Sequence, residues 1–172
     1  VRLLSEYDMS LPYILLRKND WVRQVREAAN ESFFYRMDHL SDGELLASLP
    51  FVAKMNRSLR VDNESTMKKF YDVLLKPVNK SELELGLASQ NLYTRRLCLN
   101  AILNVDDPDM NLILKHTKSE KVPQIKFTAY KKLLTLNNCP VDIVLEQMLI
   151  EKYPRTRSCA LQYIYEQNTL NS

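Results

Sequence analysis

Two histidines and three cysteines are the side chains of this 172-residue sequence best suited to metal or nucleophilic chemistry. His39 follows the run Phe33-Phe34-Tyr35, and His116 lies near the end of the segment Leu112 to Lys118. Neither has a second His or a Cys at ligand spacing, so no zinc site is expected. Both read as ordinary surface or helix-end residues, where a C-terminal location favours the charged imidazole. Cys98, Cys139 and Cys159 are odd in number and show no CxxC spacing. They read as reduced, mostly buried small hydrophobes of a cytosolic protein. Asp20 with Arg26, and Glu120 with Lys126, have the types for acid–base work. A catalytic pair occurs once, however, and comparable pairs recur along this chain. Trp21, the single tryptophan, has two readings: an exposed anchor that stacks on a base or a partner, or a staple of the first helical turn onto the preceding helix. The staple is expected. The sequence thus offers no catalytic residue, no metal ligand and no cofactor site.

Charge narrows the partners. The chain has 24 basic and 21 acidic residues; residues 1–90 balance at 13 and 13, while residues 91–172 carry 11 and 8. Arg95, Arg96, Lys126, Lys131, Lys132, Arg155 and Arg157, with Lys115, Lys118 and Lys121 at adjoining turns, are enough to track a phosphate backbone if aligned. A solvated face is the default reading of so mild an excess. No apolar run approaches the roughly 18 residues of a membrane span. The run Leu11 to Leu16, followed by Arg17 and Lys18, is too short for a secretory core. A chain that starts at Val1 is expected to be a segment of a longer one.

The elements that must carry these residues are helical. Two glycines in the whole chain nearly exclude tight hairpins and any Gly-rich phosphate loop. At 45% hydrophobic and 26% charged, the composition is that of a globular protein long enough to need no disulfide or metal staple. Prolines 12, 50, 77, 108, 123, 140 and 154 punctuate stretches with helical periodicity. Val22, Val25, Ala29 and Phe33 share one stripe, as do Ile125, Ala129 and Leu133. Ser41 to Glu44 and Ser81 to Glu84 read as capping boxes, and Asp107-Pro108 as an N-cap followed by Pro at the first helical position. No segment alternates with period two for long enough to be a half-buried strand. The class is all-α.

The helices also repeat. A basic residue, an Ala or apolar residue three later and a large apolar residue seven later recur at Arg26/Ala29/Phe33, Lys68/Tyr71/Leu75, Arg96/Leu99/Leu103, Lys126/Ala129/Leu133 and Arg157/Ala160/Ile164. Six residues before these basic positions stand Asp20, Asp62, Gln90, Glu120 and Glu151. The first helices fall near 20–36, 63–76, 91–104, 122–137 and 154–167. Second helices fall near Ser41 to Lys54, Ser81 to Ser89, Pro108 to Lys118 and Val141 to Glu151. Helix pairs at such a period stack and share one core. The expectation is a single domain over 1–172, a right-handed α-α superhelix of about five antiparallel helix pairs.

Asp20-Trp-Val-Arg-Gln-Val-Arg-Glu-Ala-Ala29 resembles the first helix of a HEAT repeat, and Glu120 to Leu134 and Glu151 to Tyr165 repeat the theme with a proline added. The resemblance, to bacterial-type degenerate HEAT repeats, covers about residues 10 to 167 and is weakest near 55 to 80. It implies that the acidic and basic residues of successive repeats form an internal ladder: Asp20, Arg26, Asp62, Lys68, Arg96, Glu120, Lys126, Glu151 and Arg157. It also implies that second helices line a concave face. That face suits a non-enzymatic scaffold for a protein or peptide partner, with Lys54, Arg57, Lys115, Lys118, Glu146, Gln147 and Ile150 as candidate contacts. Nucleic acid is the second choice of partner. A HEAT-like alkylpurine DNA glycosylase would need a carboxylate beside aromatics, for which only Asp20 with Trp21 qualifies, and a HEAT-like bilin lyase rests on fold analogy alone. An uncapped first repeat would expose Leu3, Leu4 and Tyr7 and favour oligomers. The aromatics Phe33, Phe34, Tyr35, Tyr153, Tyr163 and Tyr165 are expected in inter-repeat core.

Overall fold

The computed structural model describes residues 2–55, 63–105 and 107–170, with residues 2, 3 and 170 described by backbone alone. Ten α-helices and two short 3₁₀ turns occur among the described residues, and no strand. They are α1 (Leu11–Arg17), α2 (Arg23–Met37), α3 (Glu44–Met55), α4 (Glu64–Leu74), α5 (Lys80–Leu87), α6 (Leu92–Leu103), α7 (Met110–Ser119), α8 (Pro123–Leu133), α9 (Val141–Leu149) and α10 (Pro154–Leu170). The five expected first helices are α2, α4, α6, α8 and α10; the second helices are α3, α5, α7 and α9. Arg57 and Asp62 lie outside the described residues, as does the side chain of Leu3.

Several start signals resolve differently from expectation. Ser81 and Glu84 sit inside α5, which begins at Lys80 directly after a 3₁₀ turn over Pro77–Asn79. The cap of α7 is Asp109, whose carboxylate accepts the Leu112 N–H at 3.0 Å, two residues beyond the expected Asp107. Pro50 does not end a helix; it lies within α3 on the exposed side. A helix-interior proline forfeits a backbone hydrogen bond. Leu49, Val52 and Ala53 beside it are buried, so tertiary packing overrides the local cost.

The chain forms two compact units, Val1–Ala101 and Ile102–Ser172. In the first, α1 packs on α2 and α3, α2 on α4, α3 on α5, and α4 on α5. Leu11, Ile14, Phe33, Leu45, Leu49 and Phe70 are completely or almost completely buried there. Where α3 and α5 meet α6, Gly86 permits the approach. A Cβ at that position would stand 2.5 Å from Cys98 Sγ and 2.7 Å from Leu49 Cδ1.

A buried ion pair joins three helix ends of this unit. Glu44, at the start of α3, is fully buried, and Arg36, near the end of α2, is 4% exposed. Arg36 donates from Nε to both Glu44 oxygens at 3.1 and 3.0 Å, and from Nη2 to Oε2 at 2.6 Å. The carboxylate also accepts the Leu11 N–H at the head of α1, and the Ser41 N–H and hydroxyl. One half of the expected capping box is therefore present, Glu44 reaching back to the Ser41 N–H. Burial pushes the Glu44 carboxyl upward, and hydrogen bonds from Arg36, Leu11 and Ser41 outweigh it, holding it below the ordinary value.

In the second unit α8 packs against α7, α9 and α10, and α9 against α10. Ile113, Ala129, Tyr130, Leu133, Val144, Met148 and Ala160 form its core. In each unit, then, a first helix packs on the next first helix: α2 on α4, α8 on α10.

Candidate functional site

The repeated basic residues have a specific local geometry. At the fourth position of α2, Arg26 donates from Nη1 to the carbonyls of Asp20 (2.9 Å) and Trp21 (3.0 Å). At the fourth position of α6, Arg95 donates to Ser89 O (2.8 Å) and Gln90 O (3.1 Å). At the fourth position of α10, Arg157 donates to Glu151 O (2.6 Å) and Lys152 O (3.0 Å). Each guanidinium thus clamps the carbonyls six and five residues before it, folding the entering chain against the first helical turns. Before α6 the clamp is made by Arg95; Arg96, the expected residue, is exposed. With that correction Arg95, Lys126 and Arg157 stand 31 residues apart. The residue three beyond each clamp position is small and fully buried: Ala29, Cys98, Ala129 and Ala160.

At three of the four positions, the residue six before the clamp position turns the chain through its side chain; Glu151 instead meets Lys126. Asp20 Oδ1 accepts the Val22 N–H, Ser89 Oγ the Asn91 N–H and Glu120 Oε1 the Val122 N–H. Ser89, not Gln90, stands six before Arg95, and its hydroxyl does there what the carboxylates of Asp20 and Glu120 do. The Val22 N–H is the foremost cause holding the Asp20 carboxyl below its ordinary value. Lys126 departs from the clamp: its Nζ reaches Glu151 Oε1 at 2.6 Å, joining α8 to the turn before α10. Tyr130, almost wholly buried, directs its hydroxyl at the same oxygen and at Gln147 Oε1, both 3.4 Å away. In the second repeat the fourth position is Met67, buried in the core, and the expected Lys68 is exposed one place later.

The candidate partner contacts lie on second helices. Lys54 is exposed on the last turn of α3. Lys115 and Lys118, one turn apart on α7, are both exposed. On α9, Glu146 and the flanking aliphatic residues face solvent, with Ile143 at 50% and Ile150 at 82% exposure. Gln147 is half-buried and turned toward Tyr130. Trp21 is 84% exposed, so the expected staple onto the preceding helix does not form. Its carbonyl is held by Arg26. Tyr7 is exposed as expected, together with Tyr13 on α1, while Tyr35 and Tyr165 are exposed rather than in inter-repeat core.

His116 is buried at the end of α7, not at the surface, with Nε2 3.8 Å from Glu120 Oε2. His39 is exposed and stacks on Tyr35 at a centroid distance of 4.4 Å. All three cysteines are free. Burial pushes the Cys98 thiol up to about 12, far from nucleophilic. Among the described residues no group of three His, Cys, Asp or Glu side chains is placed to hold a metal ion. No helix among them is long and apolar enough to cross a membrane.

Clefts lie between successive first helices among the described residues. One of about 430 Å³, at α2, is lined by Lys18, Arg23, Arg26, Glu27, Asn30, Glu31 and Ser65. Another, of about 420 Å³ between α8 and α10, is lined by residues including Phe127, Lys131, Arg155, Cys159 and Tyr163. There the Arg155 guanidinium sits 5.0 Å from the Phe127 ring centroid, and Phe127 meets Tyr153 edge-on. Sequence reasoning passed over Lys18 and Arg36, because nothing in residue type or spacing marks a buried cation. No protein-family model, curated protein or solved structure matches this chain.

Proposed function

We propose that this chain is a non-enzymatic interaction module, a HEAT-like superhelix that binds a protein or peptide partner along its second helices. The observation that carries this reading is the solvent-exposed face of α9. Ile143, Leu149 and Ile150 leave aliphatic surface in water beside Glu146, and exposed apolar surface rimmed by polar groups is the usual mark of a recognition face. Leu85 on α5 and the lysine pair on α7 give other second helices outward features of their own. The repeated arginine clamp supports the repeat assignment, since a geometry that recurs at a fixed helical position serves architecture rather than catalysis.

A partner on this surface is lost when the surface is changed and the fold is not. Lys115→Glu with Lys118→Glu, and separately Ile150→Asp, are expected to weaken capture of a partner from lysate at least tenfold while thermal stability stays unchanged. Equal loss of binding and stability would refute the assignment.

Nucleic acid remains the second reading, favoured by the cleft of α8 and α10, where Arg155 stacks on Phe127 beside Lys131 and Tyr163. Cations and aromatics side by side suit single-stranded bases and phosphates. Fluorescence anisotropy with short DNA and RNA at about 50 and about 200 mM salt separates the two. Binding that weakens steeply with salt moves this reading to the front; none at the lower salt removes it.

A further inference from the structure

Lys18 follows α1 and carries its charge into the protein. The residue is 5% exposed. Its Nζ donates to Asn30 Oδ1 and lies 4.7 Å from the Phe33 ring centroid and 5.7 Å from that of Phe34. Among the described residues no carboxylate reaches it within ion-pair distance. The charged groups that share its cleft are Arg23, Arg26, Glu27 and Glu31, with Arg23 bound to Glu27 at 2.7 Å. Two ring faces offset part of the cost of burying an ammonium, and one neutral amide fixes its direction. A structural lysine at the edge of a core is normally extended into water or paired with an acid. This one is neither, and it opens on a cleft large enough for a small organic molecule.

We propose that Lys18 is a nucleophilic amine, the attachment point for a small carbonyl compound that carries an anionic group, held as an imine in the cleft at α2. Burial lowers its ionisation to about 8, so at pH 7 roughly a tenth of molecules present the neutral amine, against well under a thousandth for an ordinary lysine. The Nζ lone pair attacks the carbonyl carbon and forms the C–N bond. A proton passes from nitrogen to oxygen, giving a carbinolamine, and loss of that oxygen as water leaves C=N. Amine and carbonyl become imine and water, with no change of oxidation state. Arg23 and Arg26 line the same cleft beside Glu27 and Glu31, so the lining is balanced when the amine is neutral, and an anionic substituent is held by drawing Arg23 away from Glu27.

Pyridoxal phosphate serves as the probe, because it joins an aldehyde to an anionic group. The intact chain is incubated with substoichiometric probe near pH 7.5, reduced with borohydride to fix the adduct, and mapped by peptide mass spectrometry. Thirteen lysines compete. Lys18 is expected to take at least tenfold the label of exposed lysines such as Lys115 and Lys118, and pyridoxal without the phosphate is expected to label it several-fold less. Arg23→Gln should narrow that phosphate advantage. The wild-type map alone decides the amine: label on Lys18 at or below the mean of the exposed lysines overturns the proposal, whatever Lys18→Met does to folding. Equal labelling by the two aldehydes overturns the anionic requirement.

Discussion

Replacing Glu44 by glutamine keeps the shape of the side chain and removes the buried counter-charge of Arg36. In the wild type, Arg36 makes three contacts with the carboxylate between 2.6 and 3.1 Å, and the same two oxygens take the Leu11 and Ser41 N–H groups and the Ser41 hydroxyl. A glutamine amide turns two donors toward a site already filled with donors. Arg36 then keeps Asp8, 3.0 Å away, but Asp8 is largely in water, where an ion pair is worth little. Breaking a buried pair by removing one partner costs about 3–5 kcal/mol. For a chain of this size that corresponds to a fall in Tm on the order of 6–20 °C. Urea unfolding followed by circular dichroism gives the free energy directly. The double variant Arg36→Met with Glu44→Leu leaves no orphan charge and should recover most of the loss. The pH dependence has a definite sign. A carboxyl held below its unfolded-state value of 4.5 contributes stability above that pH and loses it as pH falls further. The gap between wild type and Glu44→Gln should therefore be full at neutral pH and close on acidification below about pH 5. A neutral-pH difference under about 1 kcal/mol, or a gap that widens in acid, would refute the reasoning.

Gly86→Ala tests the close approach of α5 to its neighbours. Alanine is the better helix former by up to about 1 kcal/mol, but its methyl would meet Cys98 Sγ and Leu49 Cδ1. Overpacking costs about 1–3 kcal/mol, so chemical unfolding should show a net loss. Arg95→Met is expected to destabilise by about 1–2 kcal/mol through two orphaned carbonyls, while Arg96→Met changes stability by less than about 0.5 kcal/mol; the reverse ranking would overturn the clamp register. Toward a thiol reagent at pH 8, the partly exposed Cys159 should react well before Cys98, whose thiol is buried and pushed up to about 12. Comparable native-state rates would show that the core around α6 opens.

The sequence alone determined the helical class, nine helix positions within a few residues and the periodicity that relates them. These are local properties: apolar spacing of three and four, prolines at helix starts and the near-absence of glycine act within one or two turns. It also showed that basic residues recur with the period, because residue type can be read without knowing where a side chain ends. Tertiary structure decided the rest. Arg95 and Arg96 are interchangeable as letters, and only the fold of the turn before α6 places two carbonyls in reach of one and not the other. Ser89 replaces a carboxylate because a hydroxyl can accept the same N–H, an equivalence that a search for acidic residues passes over. Lys18 and Arg36 are buried, and Trp21 stands in water, against the ordinary preferences of all three. Burial belongs to what surrounds a residue, and those neighbours come from other elements: α2 brings Asn30 and Phe33 to Lys18, and α3 brings Glu44 to Arg36.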